Sequence, residues 1–296
     1  MCLLFAYVNP NPRSGQYKVI VVNNRDEIYA RPTRPAHVWE GNPSIIAGED
    51  LMEGREGGTW LGLSSSGKIA SLLNILQPRE EATKNQKDLA SRGYLVVNYL
   101  RGEKPASKYL HDLATSDCEY NKFNLVILEP DQKDDEFSNK SYRLMYYNSS
   151  EKRTVCCEPG VHGFGNSNPA KPFKKVCEGV TKIEAIIKEI GPLIAKQKEL
   201  VESLFNLMRN EEPYHPDDVM TAQGKDLPEI LLKSLSRIFV TTANGTYGTR
   251  TTTIVLVGED DKAVFHERTM RVPINPTNPV WDDVVLYHDL SPPRPQ

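Results

Sequence analysis

The sequence predicts an α+β fold in which mostly antiparallel sheets are covered by helices. Three observations lead there. Short apolar strands arrive in hairpin pairs near the start of the chain, strands return near its end, and amphipathic helical segments fill the middle. The strand–helix–strand alternation that a parallel sheet needs is missing.

Taken in order, residues 2–8 form a short apolar run and residues 17–23 another, rich in β-branched side chains. The Asn-, Pro-, Ser- and Gly-rich stretch 9–15 predicts a hairpin connection between them. Residues 58–63 and 68–74 flank Ser64-Ser65-Ser66-Gly67 as a second hairpin. Apolar positions at helical spacing follow over 87–100 and 104–114. Residues 123–128 and 142–147 read as strands, with the polar insertion 131–140 as a surface loop. Residues 172–190 and 193–209 are amphipathic helices, the second starting after Gly191-Pro192. The stretch 213–226 is loop-like, 227–235 a short helix, and 237–242, 251–257 and 263–267 are strands. One domain over 1–290 is expected, followed by a Pro-rich, disordered tail over 291–296.

Composition narrows the function. A chain of 296 residues with 39% hydrophobic and 25% charged residues can bury a substantial core. Its formal net charge of −3 argues against a nucleic-acid binder, which carries a basic face, but leaves room for a local basic site. Cys2, Cys118, Cys156, Cys157 and Cys177 are odd in number and form no C-x-x-C pair, so neither a disulfide framework nor a structural zinc or other metal site is expected. Reduced thiols in a reducing compartment are the expectation. The longest apolar runs, 3–8 and 19–22, fall far short of the ~20 residues of a spanning helix. The N-terminus lacks the basic region of a signal peptide, so the sequons at Asn139, Asn148 and Asn244 are expected to stay unmodified.

Five places carry candidate chemistry. Cys2 follows Met1 directly, and an initiator Met before a small residue is usually removed. The freed α-amine, with a pKa of about 7.7–8.0, could then act as base for the thiol. Cys2 could equally be a small buried hydrophobe or an acylation site. Asn23-Asn24-Arg25-Asp26-Glu27 closes the second predicted strand. Arg25 could lower the thiol pKa or hold an anion, Asp26 could orient the amine, and Asn24 and Glu27 complete a set that is costly to bury without function. A solvated turn with a surface ion pair is the other reading. Within Gly54-Arg55-Glu56-Gly57-Gly58-Thr59-Trp60, the glycines suit a turn, and Thr59 and Trp60 could line a pocket. Asn166, in the Gly-rich turn 163–169, could aim an amide at a developing oxyanion, or the run could simply lead into a helix. Arg250, opening a late strand, could grip a carboxylate or phosphate.

In this order, the Met-Cys start, Asn24-Arg25-Asp26-Glu27, the run 54–61, Asn74 with Gln77-Pro78, Phe123-Asn124-Leu125, Gly165-Asn166-Ser167 and the run 247–251 resemble the transport and Golgi organisation protein 2 family, the NRDE-motif family, from residue 1 to about residue 268. The resemblance implies a four-layer αββα sandwich similar to N-terminal nucleophile hydrolases. In the cysteine branch of that superfamily, a mature N-terminal Cys attacks an amide with help from an Arg, an Asp, an Asn and a later Arg. The matching residues are Cys2, Arg25, Asp26, Asn166 and Arg250. One departure stands out: Arg25 and Asp26 are adjacent, so an extended strand sends them to opposite faces and only one is expected to reach the thiol.

The family resemblance also implies intracellular haem mobilisation and lipid (acyl-CoA) homeostasis, linked to secretion and Golgi organisation. Expected locations are the cytoplasm, mitochondria and the Golgi, by peripheral association. A cysteine amidohydrolase or thioesterase using Cys2 is the alternative. No cofactor is required; haem or acyl-CoA would be a bound small-molecule ligand, contacted by Asn24, Glu27, Thr59, Trp60, Asn74 and His162. His162 is the histidine nearest Asn166, the other five being scattered along the chain.

Overall fold

The computed structural model describes residues 1–41, 43–78, 81, 89–131 and 141–290. In chain order its strands begin with β1 (Leu3–Val8), β2 (Tyr17–Ile28), β3 (Thr33–Trp39), β4 (Ile45–Asp50), β5 (Leu61–Ser64) and β6 (Ile69–Asn74). Helices α1 (Gly93–Arg101) and α2 (Ala106–Thr115) follow, then β7 (Phe123–Pro130), β8 (Tyr142–Asn148), β9 (Arg153–Cys157) and β10 (Gly160–Phe164). Next come α3 (Lys174–Ile190), a 3-10 turn (Ile194–Lys196), α4 (Gln197–Met208), α5 (Asp218–Gln223) and α6 (Glu229–Leu235). The chain ends in β11 (Tyr247–Gly258), β12 (Lys262–Met270) and β13 (Trp281–Asp289).

The strands form two antiparallel sheets, one in the order β10-β1-β2-β11-β12-β13 and one running β3 to β9 in sequence order. Side-chain alternation along each strand separates three apolar layers. Leu4, Val19, Val21, Val255 and Phe265 of the first sheet meet Ile46, Leu63, Ile69 and Val126 of the second. Leu3, Phe5, Ile20 and Val22 point the other way, onto Val176 and Ile183 of α3 and Leu200 and Leu204 of α4. Ala47, Leu125 and Ile127 of the second sheet face Val96, Leu100 and Leu110 of α1 and α2. The result is helix, sheet, sheet, helix, as the α+β reading and the four-layer expectation required. Contact between α3 and β1 is close because Gly179 has no side chain: a Cβ there would lie 2.1 Å from the Phe5 ring.

Several elements differ from the sequence reading. β2 does not stop at residue 23. It runs to Ile28, because both its edges are paired: Leu3 opposite Asn24 on one side, and Thr249 opposite Asp26 on the other. Residues 237–242 are not a strand. They make only a bridge between Thr241 and Gly248, and the Ile238 carbonyl accepts a side-chain hydrogen bond from Asn24 instead. The loop-like stretch 213–226 contains α5, capped by Asp217 accepting from Met220 N. α1 begins at Gly93, later than residue 87, where Gly93 packs on the backbone of Gly58. The strands β3, β9, β10 and β13 are sheet edges that sequence periodicity does not pick out. Most of the insertion 131–140, the tail 291–296, residues 87–88 of the first predicted helix and the sequon at Asn139 lie outside the described residues.

Candidate functional site

The β1–β2 hairpin fixes the centre of the site. Its register sets Leu3 opposite Asn24 and Leu4 opposite Asn23. Continued by one residue, it brings Cys2 alongside Arg25. The thiol is half-buried and donates to the Asp26 carbonyl at 3.8 Å. Burial pushes its pKa up, more than the N-terminal ammonium pulls it down.

From Val19 onward, odd residues of β2 face the second sheet and even residues face α3 and α4, so Arg25 and Asp26 do leave on opposite sides. Arg25 lies in the plane of the thiol, between the sheets. Its guanidinium sits 4.0 Å from the centre of the Trp60 ring and 3.8 Å from the Glu27 carboxylate. Arg25 is 4% exposed and its Nη1 has no hydrogen-bond partner. Burial accordingly lowers its pKa. Asp26 turns to the helical side. Thr249 donates to its Oδ1 at 2.5 Å, and the N-terminal ammonium lies 3.5 Å from its Oδ2. The ammonium also donates to the Tyr247 hydroxyl, which in turn donates to the Asp26 carbonyl at 3.3 Å. Beneath them Lys175 of α3 is fully buried, its Nζ donating to the Arg237 carbonyl at 3.0 Å. Burial brings Lys175 down to about 8, and it raises the Asp26 carboxyl against the pull of the ammonium and of Lys175.

The strand ends open a cleft of about 300 Å³ lined by Cys2, Arg25, Asp26, Glu27, Thr59, Trp60 and Asn74. A second cleft of about 330 Å³ shares Cys2, Asp26 and Asn74 with it and reaches Asn166. Asn166 donates from Nδ2 to the Asn74 carbonyl at 2.5 Å, while its Oδ1 is buried without a partner. One of its two amide hydrogens is thus engaged. The Thr59 hydroxyl donates to the Leu61 carbonyl, so this residue shapes the wall.

Three expected residues stand elsewhere. Asn24 is fully buried under α4: its amide donates to the Met208 and Ile238 carbonyls and its Oδ1 accepts from Thr252. It is a tie between β2 and its cover, because its even position turns it away from the cleft. Arg250 lies at a β-bulge between Thr249 and Thr251. Its guanidinium donates to the carbonyls of Ile28, Tyr29 and Arg31, closing the turn after β2 and missing the thiol. His162 belongs to the edge strand β10 opposite Ala6, and its ring contacts the Glu158 carbonyl outside the clefts.

The structure adds residues that local sequence did not single out. Arg31, Asp50, Arg55 and Arg92 line the first cleft, and Tyr247 lines the second. Arg55 lies inside a glycine-rich run, where the dominant local signal is a turn and the next residue, Glu56, masks its charge. Arg92 and Lys175 carried no local signal, since only the packing of α1 and α3 brings them here. Among the described residues no group of three or more His, Cys, Asp or Glu could hold a metal ion, and no helix is long and apolar enough to cross a membrane.

Comparison with known proteins agrees with this picture. Residues 1–272 match the family model described as Transport and Golgi organisation 2. The chain is 35% identical over 279 residues to the mouse transport and Golgi organization 2 homolog, covering 91% of this chain and 93% of that one. It is 33% identical over 278 residues to the Drosophila melanogaster transport and Golgi organization protein 2, covering 91% and 92%. Among solved structures, penicillin V acylase from Agrobacterium tumefaciens superposes with a TM-score of 0.50 at 12% identity, covering 98% of this chain and 92% of that one. That likeness extends to the fold, which is of the N-terminal nucleophile hydrolase type.

Proposed function

The chain belongs to the Transport and Golgi organisation 2 family, and from that premise we propose that it handles an amphipathic acyl ligand, an acyl thioester of the acyl-CoA class, in lipid homeostasis supporting secretion and Golgi organisation. One observation carries this reading. The arginine-lined cleft and the Asn166 cleft meet at Cys2, and the latter continues past Met1, Leu76 and Tyr247 into an apolar groove of about 470 Å³. Leu227, Ile230, Leu231 and Leu235 of α6 and its approach wall that groove. A ligand with a charged head and an apolar tail would have its junction at the thiol. Haem mobilisation would use the same arrangement, propionates on the arginines and the ring in the groove. Among the described residues no histidine lines either cleft or the groove, and Cys2, Met1 and Tyr247 are the side chains there that would contact the iron.

The test is a titration with acyl-CoAs of increasing chain length. Each buried methylene is worth about 0.8 kcal/mol, so affinity should tighten about fourfold per carbon until the groove is full. Ile230→Glu, at a position 69% exposed and so neutral for folding, should flatten that dependence. Affinity indifferent to chain length in the native protein would sink the reading.

Hydrolysis is the second reading, favoured by the ammonium, Asp26 and Tyr247 gathered beside the thiol. With Met1 removed, the α-amine of Cys2 would take over that neighbourhood. It would accept the thiol proton as sulfur attacks the acyl carbonyl, then return it to the departing thiolate; water would afterwards release the acid from Cys2. Cys2→Ala should then abolish turnover and Cys2→Ser leave a trace. Retention of Met1 in an active preparation would exclude the amine as base.

A further inference from the structure

The cleft on the Trp60 side of Cys2 carries more positive charge than its own carboxylates neutralise. Four guanidinium groups line it, from Arg25, Arg31, Arg55 and Arg92. Facing them are Glu27 and Asp50, with Asp26 held on the far side by Thr249 and the N-terminal ammonium. Arg31 is satisfied: it grips Asp50 bidentately at 3.0 and 2.6 Å and lies 3.7 Å from Glu27. The other three are not. Arg25 is buried, with Nη1 unpartnered and its nearest carboxylate 3.8 Å away. Among the described residues Arg92 donates to the Lys122 carbonyl alone, at 3.2 Å, and burial together with the charge of Arg55 lowers its pKa to about 10, so it stays charged at neutral pH. The Arg55 side chain has no hydrogen-bond or ion-pair partner among the described residues.

The backbone adds to this. Helix α1, nine residues long, starts at Gly93 on the cleft wall with no side-chain cap and no acidic residue in its first turn. The positive end of its dipole therefore lies at the same space. A helix start beside a buried, unpartnered guanidinium is the arrangement that binds phosphate oxygens.

We propose that this end of the cleft is a phosphoryl-binding site, formed by Arg25, Arg55, Arg92 and the start of α1, which receives a dianionic phosphate or pyrophosphate group of the ligand. The inference deepens the acyl-ligand reading and rests on it for the rest of the molecule, but the site itself is independent of the thiol. A carboxylate offers two oxygens to three guanidinium groups, whereas a phosphate monoester dianion offers three terminal oxygens, one for each.

The probe is inorganic pyrophosphate, titrated calorimetrically into the full chain, with Trp60 fluorescence as a second readout because Arg25 stacks on that ring. Binding should be at least tenfold tighter than for acetate. Arg55→Gln and Arg92→Gln should each weaken it about tenfold, whereas Arg153→Gln, at an exposed position of the edge strand β9 outside the cleft, should leave it unchanged. Raising salt should weaken it steeply. Pyrophosphate that fails to bind, or that binds an Arg55→Gln/Arg92→Gln double variant as well as the native chain, overturns the site. If acyl-CoA binding nevertheless shows its chain-length dependence, this inference falls and the acyl-ligand reading stands. If pyrophosphate binds and acyl chains contribute nothing, the reverse holds.

Discussion

Cys2 and Asp26 show how much a single residue at the chain start decides. While Met1 is in place, its ammonium occupies Asp26 and Tyr247, and burial keeps the Cys2 thiol protonated. A protonated thiol alkylates slowly. In protein that retains Met1, iodoacetamide should therefore label Cys2 more slowly than the exposed Cys118, Cys156 and Cys177. After Met1 is removed the amine belongs to Cys2 itself, and Cys2 should become the fastest of the five. Peptide mass mapping of both forms at neutral pH is the measurement. A Cys2 that labels equally fast in both would mean that the amine does not govern the thiol. The adjacency of Arg25 and Asp26 was legible in the sequence as an obstacle to a shared role. The structure turns it into a division of labour: Arg25 takes the face of the thiol and the cleft, and Asp26 takes the amine.

At the scale of elements, the central strands were readable and the margins were not. β1, β5, β6, β7 and β8 carry runs of apolar side chains buried on both faces, so hydrophobicity alone marked them. β3 carries Pro35 and a bulge between Arg34 and His37, and β13 alternates partly buried with exposed residues; as edges they need no second neighbour and tolerate polar chains. The polar end of β2 was hidden for another reason. Its stability comes from β11, more than two hundred residues away in sequence. Glu267 makes the cost of such long-range ties measurable. It sits on β12, is 1% exposed, and accepts a hydrogen bond from Ala36 N of β3 at 2.8 Å, joining the two sheets. Burial raises its pKa from 4.5 to about 7, against the pull of that amide and of Arg25. The folded state thus holds a proton that the unfolded chain releases at lower pH. The contribution to stability is complete below about pH 4.5 and is lost as pH rises through about 7. By linkage the loss is about 3 kcal/mol at most. Glu267→Gln removes the titration, so its stability relative to wild type should improve between pH 5 and pH 8 in urea unfolding. A difference that stays constant over that range would show that the folded state does not raise the Glu267 pKa and that the side chain is already charged at pH 5.

At the scale of the whole molecule, the clefts draw on all four layers. Cys2 and Arg25 come with the first sheet, Trp60 and Asn74 with the second, Arg92 and Gly93 with α1 outside the second sheet, and Leu231 with α6 outside the first. Two sequence motifs thirty residues apart met here because β5 and β6 lie across from β2. The helical contributions were illegible because nothing in the pattern of a helix says which layer it covers. This construction makes a global prediction. A ligand that touches one layer stabilises that layer against local opening, whereas one that spans all four must dissociate before any of them separates. At a hundred times its dissociation constant, an acyl-CoA should add about 2.7 kcal/mol to the folded state. For a chain of this size that is a rise in Tm of roughly 5 °C. Hydrogen exchange should slow in β2, at the start of α1 and along α6 together. Inorganic pyrophosphate, confined to the arginine end, should protect β2 and α1 while leaving α6 unchanged. If the acyl-CoA protects only α6, or only the arginine end, then the clefts and the groove do not hold one continuous ligand.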